Sequence, residues 1–294
     1  MRCACSMSAI YKALMSYKKK TKTHNLECHI HNADCVEIMR NMKLCSVDLV
    51  VTSPPYDNLR TYEGTCNWTK KEWKRVIYWL KRIIKQGGVI VWIVNDKIVN
   101  GSRTGTAFQQ AMYFKKLGFK HNDTMIWDKM GFSTMGNLKA RYPNQYDFMF
   151  VFSRDKAPET FNMLKDRKTK HFTQKIHGYF RDKTGKLIKN CNHGQEIDRF
   201  GIRSNVWQES FKHSDRGEHP APFPLAIAKA HVLSWSNKND VVFDPFLGSG
   251  TTMEAALMTK RNFIGCEIVP KYFEMCKTRM DKCMKELNQT EMDV

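Results

Sequence analysis

The run Val241-Val242-Phe243 leads without a break into Asp244-Pro245-Phe246-Leu247-Gly248-Ser249-Gly250 and then into a helical pattern that opens at Thr251-Thr252. A buried strand, a glycine-rich turn and a helix in that order commit this part of the chain to an α/β layer. The glycines let the backbone approach a ligand closely, and the helix start offers free N–H groups. The letters discriminate among ligands. A phosphate-binding P-loop needs a Lys after its last glycine, and none follows Gly250; a dinucleotide fingerprint needs a third glycine where Met253 stands. Phe263-Ile264-Gly265-Cys266-Glu267-Ile268 reads as the next strand, and Glu267, 23 residues after Asp244, is placed to accept both hydroxyls of a ribose. A nucleoside with little phosphate fits best: S-adenosylmethionine carries such a ribose and a charged amino group for Asp244. A tight turn without a ligand is the alternative.

The same alternation of strand and helix runs through the chain. Leu26, Cys28 and Ile30 alternate as a strand ending at Asp34, and the β-branched run Val47 to Val51 ends at Thr52-Ser53-Pro54-Pro55. Between Thr69 and Lys85 the spacing of Trp73, Val76, Ile77, Leu80, Ile83 and Ile84 predicts one helix face, with Gly87-Gly88 as its stop. Val89 to Val94 follows as a buried strand, and Thr124 to Trp127 and Tyr146 to Phe152 as further strands. Leu225 to Trp235 reads as an apolar helix. Pro270 opens a last helix with Phe273, Cys276, Met280, Cys283 and Leu287 on its inner face. The fold class is α/β.

Composition bounds the rest. A chain of 294 residues with 42% hydrophobic types buries a core without staples. Its ten cysteines are scattered and read as reduced thiols. Cys28, His29, His31 and Cys35 lie too close together for a two-knuckle zinc site, so they read as an alternating strand and no metal is expected. The longest apolar run, Val89 to Val94, is far below the roughly 20 residues of a membrane span. Met1 to Lys20 lacks the apolar stretch of a secretory signal, so a cytoplasmic protein is expected.

Charge is the unusual quantity. Forty-eight Lys and Arg against 29 Asp and Glu give +19, an excess that points to a polyanion, nucleic acid first. The excess gathers between Arg154 and Arg203, where thirteen cations face six acids and His171, Phe172, His177, Tyr179, Phe180 and His193 are interleaved. Such a stretch suits a phosphate backbone and base contacts; a solvated structural insertion is the alternative.

Thr52-Ser53-Pro54-Pro55-Tyr56 follows its strand directly. Two prolines hold φ fixed and donate no hydrogen bond, which leaves rigid, exposed carbonyls. Such a carbonyl, with the Ser53 oxygen, can accept protons from an exocyclic amino group and aim its lone pair at an electrophile. Tyr56 supplies a π-face for a base taken out of its stack.

Together these motifs resemble the beta class of DNA amino-methyltransferases, the permuted group found with restriction-modification systems. His219-Pro220-Ala221-Pro222-Phe223-Pro224 and Ala33-Asp34-Cys35 extend the match, with Ala33 standing where the family usually has Gly. The resemblance implies a permuted Rossmann-like S-adenosylmethionine-dependent methyltransferase fold, with a mixed seven-stranded sheet and an inserted target-recognition region. Tyr146 to Phe152 is its expected reversed strand. It implies an N-terminal extension (1–25), a catalytic half (26–153), a target-recognition insertion (154–215) and a cofactor-binding half (216–294). Ser53, Pro54, Pro55 and Tyr56 are the implied catalytic residues. S-adenosyl-L-methionine is the implied cofactor, held by Asp34, Thr52, His219, Pro220, Phe223, Asp244, Pro245, Phe246, Gly248, Ser249, Gly250, Thr251, Thr252 and Glu267. The expected activity is site-specific methylation of cytosine N4 in double-stranded DNA by base flipping. Adenine N6 is the alternative base, and a non-catalytic DNA-binding protein the alternative class. A cognate restriction endonuclease is a further expected partner, and the chain is expected to be a monomer or homodimer.

Overall fold

The computed structural model describes residues 15–21, 25–55, 68–131, 139–170, 172–210 and 223–289. Tyr56, His219 and Pro220 lie outside them. The chain divides into two compact units, one of residues 1–162 with 205–294 and one of residues 163–204, the latter inside the stretch 154–215.

The larger unit is built on a single sheet of β1 (Met15–Lys20), β2 (Glu27–Asn32), β3 (Val47–Thr52), β4 (Ile84–Val94), β5 (Phe119–Asp128), β6 (Tyr146–Arg154), β7 (Val206–Gln208), β8 (Val241–Asp244) and β9 (Asn262–Cys266). Their order is β1-β2-β9-β8-β3-β4-β6-β5-β7. The five strands from β2 to β4 are parallel, β6 runs antiparallel to both its neighbours, and β1 is antiparallel to β2. The late strands β8 and β9 therefore sit between the early strands β2 and β3, and β6 is the reversed strand expected from Tyr146 to Phe152. Nine strands replace the expected seven because the sheet is extended at both edges. Met15–Lys20 carries no apolar alternation to announce β1. What holds it is polar: Tyr17 Oη donates to Asp281 Oδ1 at 2.8 Å, and Lys19 pairs with the same carboxylate at 2.6 Å. At the other edge Trp207 of β7, paired in register with Trp127, packs its ring 4.4 Å from that of His231.

Helices cover both faces. On one lie α1 (Cys35–Asn41), α2 (Lys70–Ile83) and α3 (Thr106–Lys116), packed in a common core with Ile90, Trp92, Val94, Phe150, Phe152 and Phe243. On the other lie α4 (Leu225–Trp235), α5 (Thr251–Met258) and α6 (Pro270–Gln289), which meet the alternate, equally buried residues. Among the described residues no helix is long and apolar enough to cross a membrane. The helix expected from Thr69 to Lys85 is α2, with Trp73, Val76, Ile77, Leu80 and Ile83 buried, but Gly87-Gly88 is not its stop. Ile84 already pairs with Val47, and the glycines form an irregularity inside β4. A Cβ on Gly88 would stand 2.7 Å from the Ile84 side chain and 3.0 Å from the Asp48 carbonyl, which only glycine avoids. Leu80 is fully buried, so Leu80→Ala is expected to cost about 2 to 5 kcal/mol. A urea midpoint that fails to fall would contradict this placement of α2.

The smaller unit is a pair of short antiparallel ladders, Arg167–Lys168 with Phe200–Gly201 and Tyr179–Arg181 with Leu187–Lys189.

Candidate active site

The parallel strands bring their C-terminal ends to one sheet edge, the place where open α/β sheets hold ligands. Asp34 follows β2, Glu267 follows β9, Asp244 ends β8, and Ser53-Pro54-Pro55 follows β3. Ser53 and Pro55 are half-buried and Pro54 is buried.

Asp244 is the hub. It is 1% exposed, and Oδ1 accepts from Thr52 Oγ1 at 2.6 Å and from Phe246 N at 3.0 Å. Oδ2 accepts from Thr252 Oγ1 at 2.7 Å. One carboxylate thus ties β3, the glycine loop and the start of α5 together. Most of its lone pairs are committed inside the protein, so it offers a ligand its charge more than free oxygens.

The loop itself is held from two sides. Leu247 N donates to Cys266 O at 2.9 Å, and the Cys276 thiol of α6 donates to Gly248 O at 3.0 Å. Gly250 precedes α5 with φ +87°, and a Cβ there would meet Met253 Cε at 3.1 Å and Cys276 Sγ at 3.4 Å. Arg279, one turn beyond Cys276, donates to Thr251 Oγ1 at 3.2 Å. Pro245 and Ser249 are buried beside them.

Glu267 Oε2 accepts from Gly248 N and Oε1 from Val269 N, each at 2.8 Å. The Ile268 N–H also acts on this carboxylate, and with about four lone-pair sites on its two oxygens it keeps capacity for a hydroxyl donor. Asp34 caps α1 by accepting from Val36 N at 2.7 Å and pairs with Arg75 at 2.8 Å. Burial, with the charges of Cys35, Asp244, Asp34 and Glu267 adding to it, pushes the Cys266 thiol well up. Burial pushes Asp244 up to about 6, against the bonds from Thr52, Thr252 and Phe246 that pull it back. Burial pushes Glu267 up to about 7, with the charge of Asp244 adding to the effect. Two buried acids held near neutrality suit a ligand that brings positive charge and hydroxyl donors.

Phe246 is half-buried, with its ring edge-on to Trp68 at 5.1 Å and near Trp92 at 6.4 Å. Phe223, also half-buried, precedes α4. The sequence reading missed the residues that follow β4. Asn95 and Asp96 are buried at the same edge. Asn95 Nδ2 donates to Asp147 Oδ1 at 2.7 Å, Lys129 pairs with Asp147 at 2.8 Å, and Asp96 Oδ1 accepts from Ala107 N at 2.8 Å. Their signal was available: a buried run, Val89 to Val94, stopped by two polar residues, as at the other parallel strand ends.

A family model described as DNA methylase matches residues 47–278. The chain is 43% identical over 249 residues to the orphan methyltransferase M.BamHII of Bacillus amyloliquefaciens, an alignment covering 82% of this chain and 91% of that protein. Among solved structures, that of M1.HpyAVI in complex with SAM has a TM-score of 0.57 at 24% identity, covering 86% of this chain and 99% of that one. The cytosine-N4-specific PvuII DNA methyltransferase has a TM-score of 0.62 at 19% identity, covering 86% of each chain. Both structural likenesses are of fold.

Proposed function

Because the chain belongs to the DNA methylase family, the N6/N4 amino-methyltransferases, we propose that it moves a methyl group from S-adenosyl-L-methionine to the N4 amino group of cytosine in double-stranded DNA. The observation that carries this reading is the 2.6 Å hydrogen bond from Thr52 to Asp244. It locks the strand bearing Ser53-Pro54 against the strand bearing the acids, so the two motifs share one edge.

The residues present suit the cofactor. Its sulfonium supplies the electrophilic methyl. Glu267 keeps lone-pair capacity for a ribose hydroxyl, and Asp244 and Glu267 supply negative charge. Ser53 Oγ and the Pro54 carbonyl accept hydrogen bonds from the target amino group and turn its lone pair out of conjugation, the S–CH3 bond breaks as the N–CH3 bond forms, and the displaced proton leaves to solvent; Tyr56 stacks on the flipped base. Positioning supplies the rate, and no covalent enzyme intermediate is needed. A neutral serine oxygen beside a fixed carbonyl favours cytosine N4.

Incubation of duplex DNA with the enzyme and cofactor, followed by nucleoside mass spectrometry, tests the assignment. N4-methylcytosine is expected. N6-methyladenine as the only product would overturn the base, and no methylated nucleoside would overturn the activity.

The acids add a pH dependence. Both are raised above their ordinary values of 3.8 and 4.5. In the free protein they favour the fold below about pH 4, and that contribution is lost as pH rises through 6 and 7. A cationic ligand works in the opposite sense, since it favours the ionised pair. Cofactor affinity is therefore expected to fall as pH drops from 8 to 6, by up to about tenfold per unit for each proton that must leave. Calorimetry across that range checks it; affinity that rises on acidification contradicts it.

A further inference from the structure

The smaller unit is one two-stranded arm. Backbone hydrogen bonds climb it from base to tip: Arg203 N to Leu164 O (3.0 Å), Thr169 N to Arg199 O (3.1 Å), Thr173 N to Ile197 O (3.1 Å), Ile176 N to Gln195 O (2.8 Å) and Asn190 N to Gly178 O (2.9 Å). Midway, the His193 ring packs against Tyr179 at 5.2 Å and His177 at 5.7 Å. The chain reverses at 182–186. There Asp182 Oδ1 accepts from Thr184 N at 2.8 Å, Thr184 Oγ1 at 2.6 Å and Lys186 N at 3.0 Å, while Gly185 takes φ +85°. Arg181 Nη1 closes the turn on Gly185 O at 2.8 Å. The tip is fixed by its own bonds before anything binds.

Its surface is basic and open. Residues 163–204 hold eleven Lys and Arg against four Asp and Glu. Tyr179, Phe180 and Leu187 flank the tip, each about half exposed at 52%, 50% and 56%. A β-ribbon of this kind is what the major groove of B-DNA admits, and the charge balance complements a polyphosphate.

The donor inventory of the tip narrows the substrate. Between 181 and 189 the long polar side chains are Arg181, Lys183, Lys186 and Lys189, which only donate, and the stretch contains no Asn, Gln or Glu. Its single carboxylate, Asp182, is engaged in the turn, where hydrogen bonds from Thr184 hold its pKa below the ordinary value. In the major groove guanine presents two acceptors, N7 and O6. Adenine calls for a group that both donates and accepts, cytosine calls for an acceptor, and thymine offers one acceptor beside a methyl group.

We propose that the arm enters the major groove with its 181–186 tip and that Lys183 and Lys186 read guanine there, so that the recognition sequence contains guanine under the tip. Lys168 and Lys170, nearer the base, lie on the phosphates. This deepens the reading of the chain as a DNA amino-methyltransferase and rests on it.

The test maps methylated sites on a pool of random duplexes for the wild type, Lys183→Ala/Lys186→Ala and Lys168→Ala/Lys170→Ala, with cofactor affinity measured alongside. Wild-type sites are expected to share a G·C pair besides the one that holds the methylated base. The tip variant should lose about ten- to a hundredfold of the preference for it at unchanged cofactor affinity. The basal variant should weaken all sequences alike and flatten the salt dependence of binding. A shared sequence with no G·C pair besides the one that holds the methylated base, an unchanged preference in the tip variant, or a loss in that variant uniform over all sequences would each overturn base reading by the tip. A wild type that binds cofactor yet methylates no duplex would instead overturn the activity beneath it.

Discussion

Ser53→Ala is expected to lower methyl transfer by about 10- to 100-fold, the worth of one hydrogen bond of roughly 1.4 to 2.7 kcal/mol to an amino group that gains positive charge, with cofactor affinity unchanged. An amino nitrogen conjugated with its ring is a poor nucleophile, so the enzyme has to take hydrogen bonds from it as the lone pair turns toward the methyl. Ser53 is half-buried at the end of β3, and Thr52 beneath it keeps its 2.6 Å bond to Asp244 whatever stands at 53. The loss should therefore appear in turnover rather than in binding, as for an interaction made mainly in the transition state. Single-turnover rates beside calorimetry separate the two. A variant as fast as the wild type, or one slowed only in proportion to lost cofactor affinity, would remove Ser53 from the chemistry.

Asp244→Ala should act on the fold and the site together. Its removal strips the acceptor from Thr52 Oγ1, Thr252 Oγ1 and Phe246 N in a place that is 1% exposed. Thr252 retains Val51 O at 3.3 Å; the other two are left without a replacement, and a buried orphan costs about 1 to 3 kcal/mol. Relief of the burial that pushes Asp244 up offsets part of this, for a net destabilisation of about 2 to 5 kcal/mol. Methyl transfer should vanish. Thr52→Val, which removes one partner and keeps the charge, should retain the fold and bind cofactor more weakly. Denaturant melts of both variants decide the matter: an Asp244→Ala protein as stable as the wild type would show that the tie carries no energy.

The parallel strands and the helices around them were legible because each is a short apolar run or a periodic face closed by polar residues. Leu225 to Trp235 coincides with α4, and Val47 to Val51 lies within β3. The edges of the sheet were not. β1 is held by Tyr17 and Lys19 on a distant carboxylate, and β7 has only three residues; neither has an apolar pattern long enough to read. Gly87-Gly88 misled for a local reason: a glycine pair after a helix reads as a stop, whereas here close backbone approach inside a strand demands it. In the site, the positions of Asp244 and Glu267 followed from their strand ends. Their partners did not, because Thr52 reaches Asp244 from 192 residues away and Thr252, eight residues on, only because the loop folds the start of α5 back over β8. The same limit hid Asn95 and Asp96, which belong to no recognised motif and are joined to the site only by the edge they share.

The placement of β8 and β9 between β2 and β3 bears on how the chain is made. Asp48 accepts a hydrogen bond from Val241, 193 residues away, and Glu27 N donates to Asn262, 235 residues away. At about 5 to 20 residues per second, a nascent β3 waits about 10 to 40 seconds for the strand that fills its open side. Until then one of its two neighbours is absent and that backbone edge is unpaired, the state in which chains seek wrong partners. Closure of these long loops finishes the sheet and the cofactor edge in a single event. A ribosome-bound chain that has not yet reached β9 thus has the Ser53-Pro54 motif but no place for the methyl donor, and activity can appear only after β9 has been made.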